Sequence, residues 1–195
     1  MSHDDDRTAL LVVDVQNDFA DPSGSLAVAG GEDIIPPVNA AIRAARAAGS
    51  LLVYTRDWHP AHTPHFAQDG GIWPVHCVGG SWGAELHPRL EVVEGETIHK
   101  GVDGRDGYSA FSVRDPQSGE TESTQLERVL RVRGVERVVI GGLATDYCVL
   151  ETVLDARRLG FDAEVLTECI RAVDLQPGDG DRALDRMREA GALLA

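Results

Sequence analysis

The chain has 195 residues, 43% of them hydrophobic and 26% charged, with a formal net charge of −14. These totals exclude a disordered or fibrous architecture and predict one domain, 1–195, because a chain of this length buries about two thirds of its unfolded surface around a single core. The acidity gives no electrostatic support to a nucleic-acid or membrane-surface partner and favours a small neutral or cationic ligand, solubility being its plainest reason.

The start, Met1-Ser2-His3-Asp4-Asp5-Asp6, is acidic where a secretory leader would be basic and then apolar, and no apolar run reaches bilayer-crossing length. A first buried strand is predicted over Thr8 to Val13. Ile34, Val38, Ala41, Ile42 and Ala45 then share one face of a helix from Ile34 to Ala48, with Asp33 as its N-cap and Gly49 as its terminator. Pro36 and Pro37 fall in its first turn, where backbone amides lack helical partners. A second strand covers Leu51 to Thr55. Residues 58–96 carry prolines, glycines, histidines and all three tryptophans without periodicity, which marks a functional connection rather than a disordered one. A weaker strand follows at Thr97 to Lys100, and Arg114 to Thr121 reads as a solvated loop. Helices are predicted over Thr124 to Val132, Asp146 to Leu159 and Asp181 to Ala190, each closed by a glycine. Between them lie strands at Arg137 to Ile140 and Ala163 to Leu166, with a short sixth at Ala192 to Leu194. This alternation predicts an α/β fold, a three-layer αβα sandwich on a largely parallel sheet of about six strands, Rossmann-like in its winding.

In such sheets ligands bind beyond the carboxyl ends of the strands, so the residues just past each strand are the ones to examine. Asp14 follows the first strand, Asp57 and His59 the second, Lys100 closes the third and Cys148 lies beyond the fourth. The three cysteines, Cys77, Cys148 and Cys169, are odd in number with no CxxC pair, so no disulfide framework is expected and reduced thiols fit the cytoplasm. A lone cysteine is more often a small packing hydrophobe. Cys148, however, falls in a first helical turn with Thr145 as a candidate cap, a position expected to lower a thiol pKa. Asp14 and Lys100 would each be unremarkable alone. Together with the thiol they make a charge-balanced trio in which the carboxylate accepts the thiol proton. Cys77 and Cys169 are assigned to packing. Asp57, His59 and His76 suit a divalent transition metal, against the plainer reading of histidines in a polar loop that also holds His62 and His65. No partners are evident for His3, His87 and His99.

The runs Val13-Asp14-Val15-Gln16-Asn17-Asp18-Phe19 with Gly24-Ser25-Leu26, Asp57-Trp58-His59-Pro60, Trp73-Pro74-Val75-His76-Cys77-Val78, His99-Lys100-Gly101 with Tyr108-Ser109-Ala110-Phe111, and Ala144-Thr145-Asp146-Tyr147-Cys148-Val149 occur in the order of a known family. The chain resembles the nicotinamidases (pyrazinamidases) of the isochorismatase-like hydrolases from Leu11 to about Asp174. The first and last motifs are shared across that superfamily. The metal motif and the Trp-Pro-x-His-Cys run are narrower, because relatives acting on carbamoyl or isochorismate-type substrates generally lack the metal site. The resemblance implies hydrolysis of nicotinamide, and of pyrazinamide-like analogues, to the acid and ammonia through a Cys148 thioester, as a step of NAD salvage. It makes Asp14, Lys100 and Cys148 the catalytic triad, and the backbone N–H groups of Ala144 and Cys148 the oxyanion hole beside a cis Leu143–Ala144 peptide. Asp57, His59 and His76 become ligands of one divalent ion, zinc first, with iron or manganese compatible. His65 stands where some members place a serine and others a further histidine ligand. Phe19, Trp73 and Tyr108 would enclose the pyridine ring. A homo-oligomer is compatible with the sequence. The competing readings are a cysteine amidase for another small amide or carbamoyl compound, and a catalytically silent domain used for oligomerisation or ligand binding. An intact Asp14, Lys100 and Cys148 argues against the latter.

Overall fold

The computed structural model describes residues 7–195, so the acidic start and His3 lie outside the described residues. Among the described residues eight strands form: β1 (Thr8–Val13), β2 (Leu51–Asp57), β3 (Glu96–Lys100), β4 (Ser112–Arg114), β5 (Thr121–Ser123), β6 (Arg137–Leu143), β7 (Asp162–Arg171) and β8 (Leu193–Leu194). The helices are α1 (Asn17–Ala20), α2 (Ile35–Ala48), α3 (Leu126–Val132), α4 (Leu150–Arg158) and α5 (Asp179–Glu189). Six strands pair in the order β3-β2-β1-β6-β7-β8, every pair parallel.

Alternation along β1 explains the layering. Ala9, Leu11 and Val13 face α3, α4 and α5, where they meet Leu126, Leu130, Leu150, Val153, Ala156, Ala183 and Met187. Leu10 and Val12 face the opposite layer and pack with Ile35, Val38 and Ile42 of α2. Each fully buried aliphatic side chain in these layers contributes about 1.5–3 kcal/mol relative to exposure. The strand order reverses between β1 and β6. Connections leave that point toward opposite faces, which opens a crevice at the carboxyl ends of the two strands. Among the described residues no helix is long and apolar enough to cross a membrane.

Four local expectations are corrected. Asp33 does not cap α2, because a 3-10 turn (Gly31–Ile34) leads directly into it and Ile34 occupies the cap position without a side-chain bond. The stop at Gly49 holds, with φ 78 and its N–H on the carbonyls of Ala45 and Arg46. Residues 115–120 form the largely exposed connection expected there, but its ends Arg114 and Thr121 pair in an unforeseen antiparallel β4–β5 hairpin, to which Asp106 adds a bridge with Arg114. The helix predicted from Asp146 begins instead as a π-helical turn, Thr145–Val149, before α4; Ala144 is its N-cap residue and Thr145 makes no capping bond.

Candidate active site

The crevice gathers the predicted trio. Lys100 Nζ, fully buried, donates to Asp14 Oδ2 at 2.6 Å and to the Gly107 carbonyl at 2.5 Å. It also faces Asp57 Oδ1 at 3.2 Å, so one ammonium serves two buried carboxylates. Asp14 emerges from β1 with φ 49, a left-handed conformation that turns its side chain back into the crevice. There Thr55 Oγ1 donates to its Oδ1 at 2.5 Å. A carboxylate oxygen of Asp14, one of Asp57 and Cys148 Sγ lie within 4.8 Å of one another. Gly142 makes this convergence possible: paired with Val13 at φ 132, any Cβ on it would stand 2.0 Å from the Val13 carbonyl oxygen. The Leu143–Ala144 peptide that follows is cis.

The electrostatics divide the two carboxylates. Burial pushes Asp57 up, but Lys100 and His59 overcome it and hold the carboxyl well below the usual range. For Asp14, burial and the charge of Asp57 outweigh Lys100, and its pKa is raised. Asp14 is therefore the better proton acceptor of the pair. Cys148 departs from expectation. Burial first, and then the negative charge of Asp14 and Asp57 against the opposing Lys100, push its thiol well above the ordinary value. The helix-start location does not leave a resting thiolate, because desolvation of the anion outweighs the field of one turn. The first i→i+5 bond of the π turn runs from Val149 N–H to the Ala144 carbonyl, so the Cys148 amide precedes the ladder.

Opposite the thiol lie His59, His65 and His76, whose ligating nitrogens fall within 4.8 Å of one another. Asp57 Oδ2 approaches His59 Nε2 at 3.7 Å and His76 Nε2 at 4.0 Å, so the second oxygen of Asp57 belongs to this cluster. His76 Nδ1 donates to the Pro74 carbonyl at 2.8 Å, which leaves Nε2 as the lone-pair nitrogen. Burial pushes His76 down to about 4, so it is neutral at physiological pH. Both nitrogens of buried His59 lack a hydrogen-bond partner. Gly101 permits that ring, since a Cβ there would meet His59 Cε1 at 2.6 Å. Three converging imidazoles, a carboxylate and orphaned buried nitrogens fit a divalent cation, and the His-rich donor set suits zinc among other transition ions.

Between thiol and imidazoles is a pocket lined by Phe19, Trp73, Tyr108, Tyr147, Leu26 and Val173, among others. All three aromatic residues predicted for the ring face it. Trp73 Nε1 donates to Tyr108 Oη at 2.7 Å, and Trp73 meets Tyr147 edge-on at 5.0 Å. The sequence reading missed Tyr147 as a wall residue, although it is the neighbour of Cys148. It also missed Gln16, whose amide donates to the Asp57 carbonyl at 2.8 Å and accepts from the Asp57 N–H at 2.8 Å, fixing one strand end on the other. Asp18 acts similarly on the long connection, accepting from the N–H groups of Cys77 and Ser25. His62 is exposed and pairs with Asp69 outside the cluster. His87 and His99 do have partners: His87 Nε2 faces Asp21 and Glu32, and His99 stacks on Trp58 at 4.7 Å.

Comparison with known proteins agrees with this geometry. The Isochorismatase domain family matches residues 8–195. Nicotinamidase from Escherichia coli (strain K12) is 38% identical over 203 residues, covering 95% of this chain and 93% of its own. The crystal structure of pyrazinamidase of Pyrococcus horikoshii in complex with zinc superimposes with a TM-score of 0.87 at 40% identity, covering 97% of this chain and 98% of that one. PnC1 from L. infantum in complex with nicotinate gives 0.88 at 35% identity, covering 100% and 95%. With a doubly wound sheet, a crevice between its first and fourth parallel strands and a family match over nearly its whole length, this chain belongs to the isochorismatase family.

Proposed function

We propose that this chain is a nicotinamidase of a single domain, hydrolysing nicotinamide, and pyrazinamide-like analogues, to the acid and ammonia, and so serving NAD salvage in the cytoplasm. The observation that carries the proposal is the pairing, across one aromatic-walled pocket, of a buried Cys148–Asp14–Lys100 group with three converging imidazoles. Relatives named nicotinamidase support the substrate class.

Asp14 takes the Cys148 proton as Sγ attacks the amide carbon, so the thiolate forms only during attack. Lys100 stays protonated, held high by Asp14 and Asp57 against burial, and offsets the negative charge that the transfer moves. The N–H groups of Ala144 and Cys148 receive the developing oxyanion, a contribution of about 3–4 kcal/mol per donor in comparable sites. Asp14 returns its proton to the departing nitrogen, and ammonia leaves a Cys148 thioester. Asp14 then accepts a proton from the water that cleaves that thioester and passes it to the departing Cys148 sulfur, which regenerates both the thiol and the carboxylate. Phe19, Trp73 and Tyr108 hold the ring flat and exclude bulk water. Asp57, His59, His65 and His76 would hold the divalent ion, which supplies a Lewis-acidic centre for the ring nitrogen and for water.

The test is ammonia release from nicotinamide by purified protein with and without chelator, beside Cys148→Ala. Turnover in the wild type that chelation lowers and the variant lacks, with an unchanged circular dichroism spectrum, is expected. Undiminished turnover by the variant, or a metal-loaded wild type inert toward nicotinamide, refutes the proposal.

A further inference from the structure

His65 differs from its two neighbours in what holds it. Its Nδ1 lies 2.6 Å from Asp106 Oδ1, across 41 residues of sequence, with both side chains largely buried. A carboxylate only accepts, so the shared proton sits on Nδ1 and the lone pair on Nε2 is left for the cluster. His76 gains the same tautomer from a main-chain carbonyl within its own loop. His65 depends on Asp106. Its ring otherwise stacks on His59 at 4.7 Å, a contact that either ring tautomer satisfies.

The backbone at Asp106 is itself fixed. Its N–H donates to the Arg114 carbonyl at 2.7 Å and its carbonyl accepts from the Arg114 N–H at 2.9 Å, so β4 anchors it. The adjacent Gly107 carbonyl receives Lys100 Nζ. Thr63 Oγ1 donates to the Gly104 carbonyl at 2.7 Å and accepts the His65 N–H at 3.2 Å, buckling the two loops together beside the histidine. The segment that carries Asp106 is thus set by the hairpin and by Lys100, and it presents one carboxylate to one imidazole.

We infer that Asp106 is a positioning residue for the metal centre: its carboxylate fixes the tautomer and orientation of His65 and makes that side chain the fourth ligand beside Asp57, His59 and His76. This rests on the reading that those four residues hold a divalent ion.

The experiment measures zinc affinity of metal-free protein by competition with a chromophoric chelator, and the visible spectrum of the cobalt(II) form. The proteins are wild type, Asp106→Ala, Asp106→Asn, His65→Ala and the Asp106→Ala/His65→Ala double variant. Asp106→Ala is expected to bind zinc about 10- to 100-fold more weakly, with a cobalt spectrum shifted to that of His65→Ala. Asp106→Asn, which keeps an acceptor for Nδ1–H and carries the test if the alanine variant fails to fold, is expected to lose less. The double variant is expected to be no weaker than His65→Ala alone. A wild type that binds no zinc overturns the metal reading and this inference with it. Zinc binding by wild type with an equal affinity and spectrum in Asp106→Ala and Asp106→Asn overturns this inference alone. So does a double variant whose loss equals the sum of the two singles.

Discussion

Replacing Lys100 by Met would remove the one cation between two buried carboxylates while roughly keeping side-chain length and volume. Lys100 Nζ lies 2.6 Å from Asp14 Oδ2 and 3.2 Å from Asp57 Oδ1, and none of the three side chains is more than 8% exposed. Breaking a buried pair in this way costs about 3–5 kcal/mol, because the abandoned charge keeps its desolvation penalty. At about 2–4 °C per kcal/mol for a chain of this size, the melting temperature should fall by about 6–20 °C. The deficit should depend on pH with a definite sign. In the wild type Lys100 lowers both carboxyls. Without it the Asp14 pKa, already above the unfolded value of about 3.9, rises further, and that of Asp57 rises from its lowered position. The folded variant then binds protons that its unfolded chain has released, so its deficit is small below pH 4 and grows as pH rises through the raised values. Thermal and urea unfolding of both proteins in chelator, at pH 5 and pH 8, measures this. A deficit under about 1 kcal/mol at pH 8, or one equal at the two pH values, would refute the reasoning.

Three further outcomes follow from the same geometry. Gly142→Ala should lose more than about 2 kcal/mol in urea unfolding, since the new Cβ meets the Val13 carbonyl and φ 132 is strained for any L side chain; a change within about 0.5 kcal/mol would contradict the close approach. Trp73→Phe removes the donor to Tyr108. At about 0.5–1.5 kcal/mol for that bond, KM for nicotinamide should rise about two- to twelvefold with kcat little changed, and an unaltered KM would show that the bond does not shape the pocket. Iodoacetamide should modify Cys148 before the other thiols of the native protein, because it alone of the three lines the pocket. Mass spectrometry of the labelled peptides checks this, and equal labelling of Cys77 or Cys169 would count against it.

What could be read along the chain was the part written locally. Apolar runs of strand length, one amphipathic helix and glycine stops are properties of neighbouring residues, and they predicted the parallel sheet and both flanking layers. The places where Asp14, Asp57, Lys100 and Cys148 fall followed from one rule about strand ends, and the family resemblance added the ligand set. Strand ends beyond the predicted ones, at Asp57, Leu143 and Arg171, are pairing effects. Whether backbone groups there find a partner is decided by the neighbouring strand. The β4–β5 hairpin escaped for the same reason, since its three-residue strands have no apolar face to betray them.

The sequence by itself determined which reactive groups meet, because a doubly wound parallel sheet brings the ends of its strands to one edge whatever the loops do. Only the tertiary structure decided their protonation and their aim. The raised Cys148 thiol, the split between Asp14 and Asp57, the double role of Asp57 between Lys100 and the imidazoles, and the hold of Asp106 on His65 arise through burial and contact distances, with Lys100 43 residues from Asp57 and Asp106 41 residues from His65 along the chain. Desolvation and Coulomb energies depend on surroundings in three dimensions, and no local pattern along the chain encodes them.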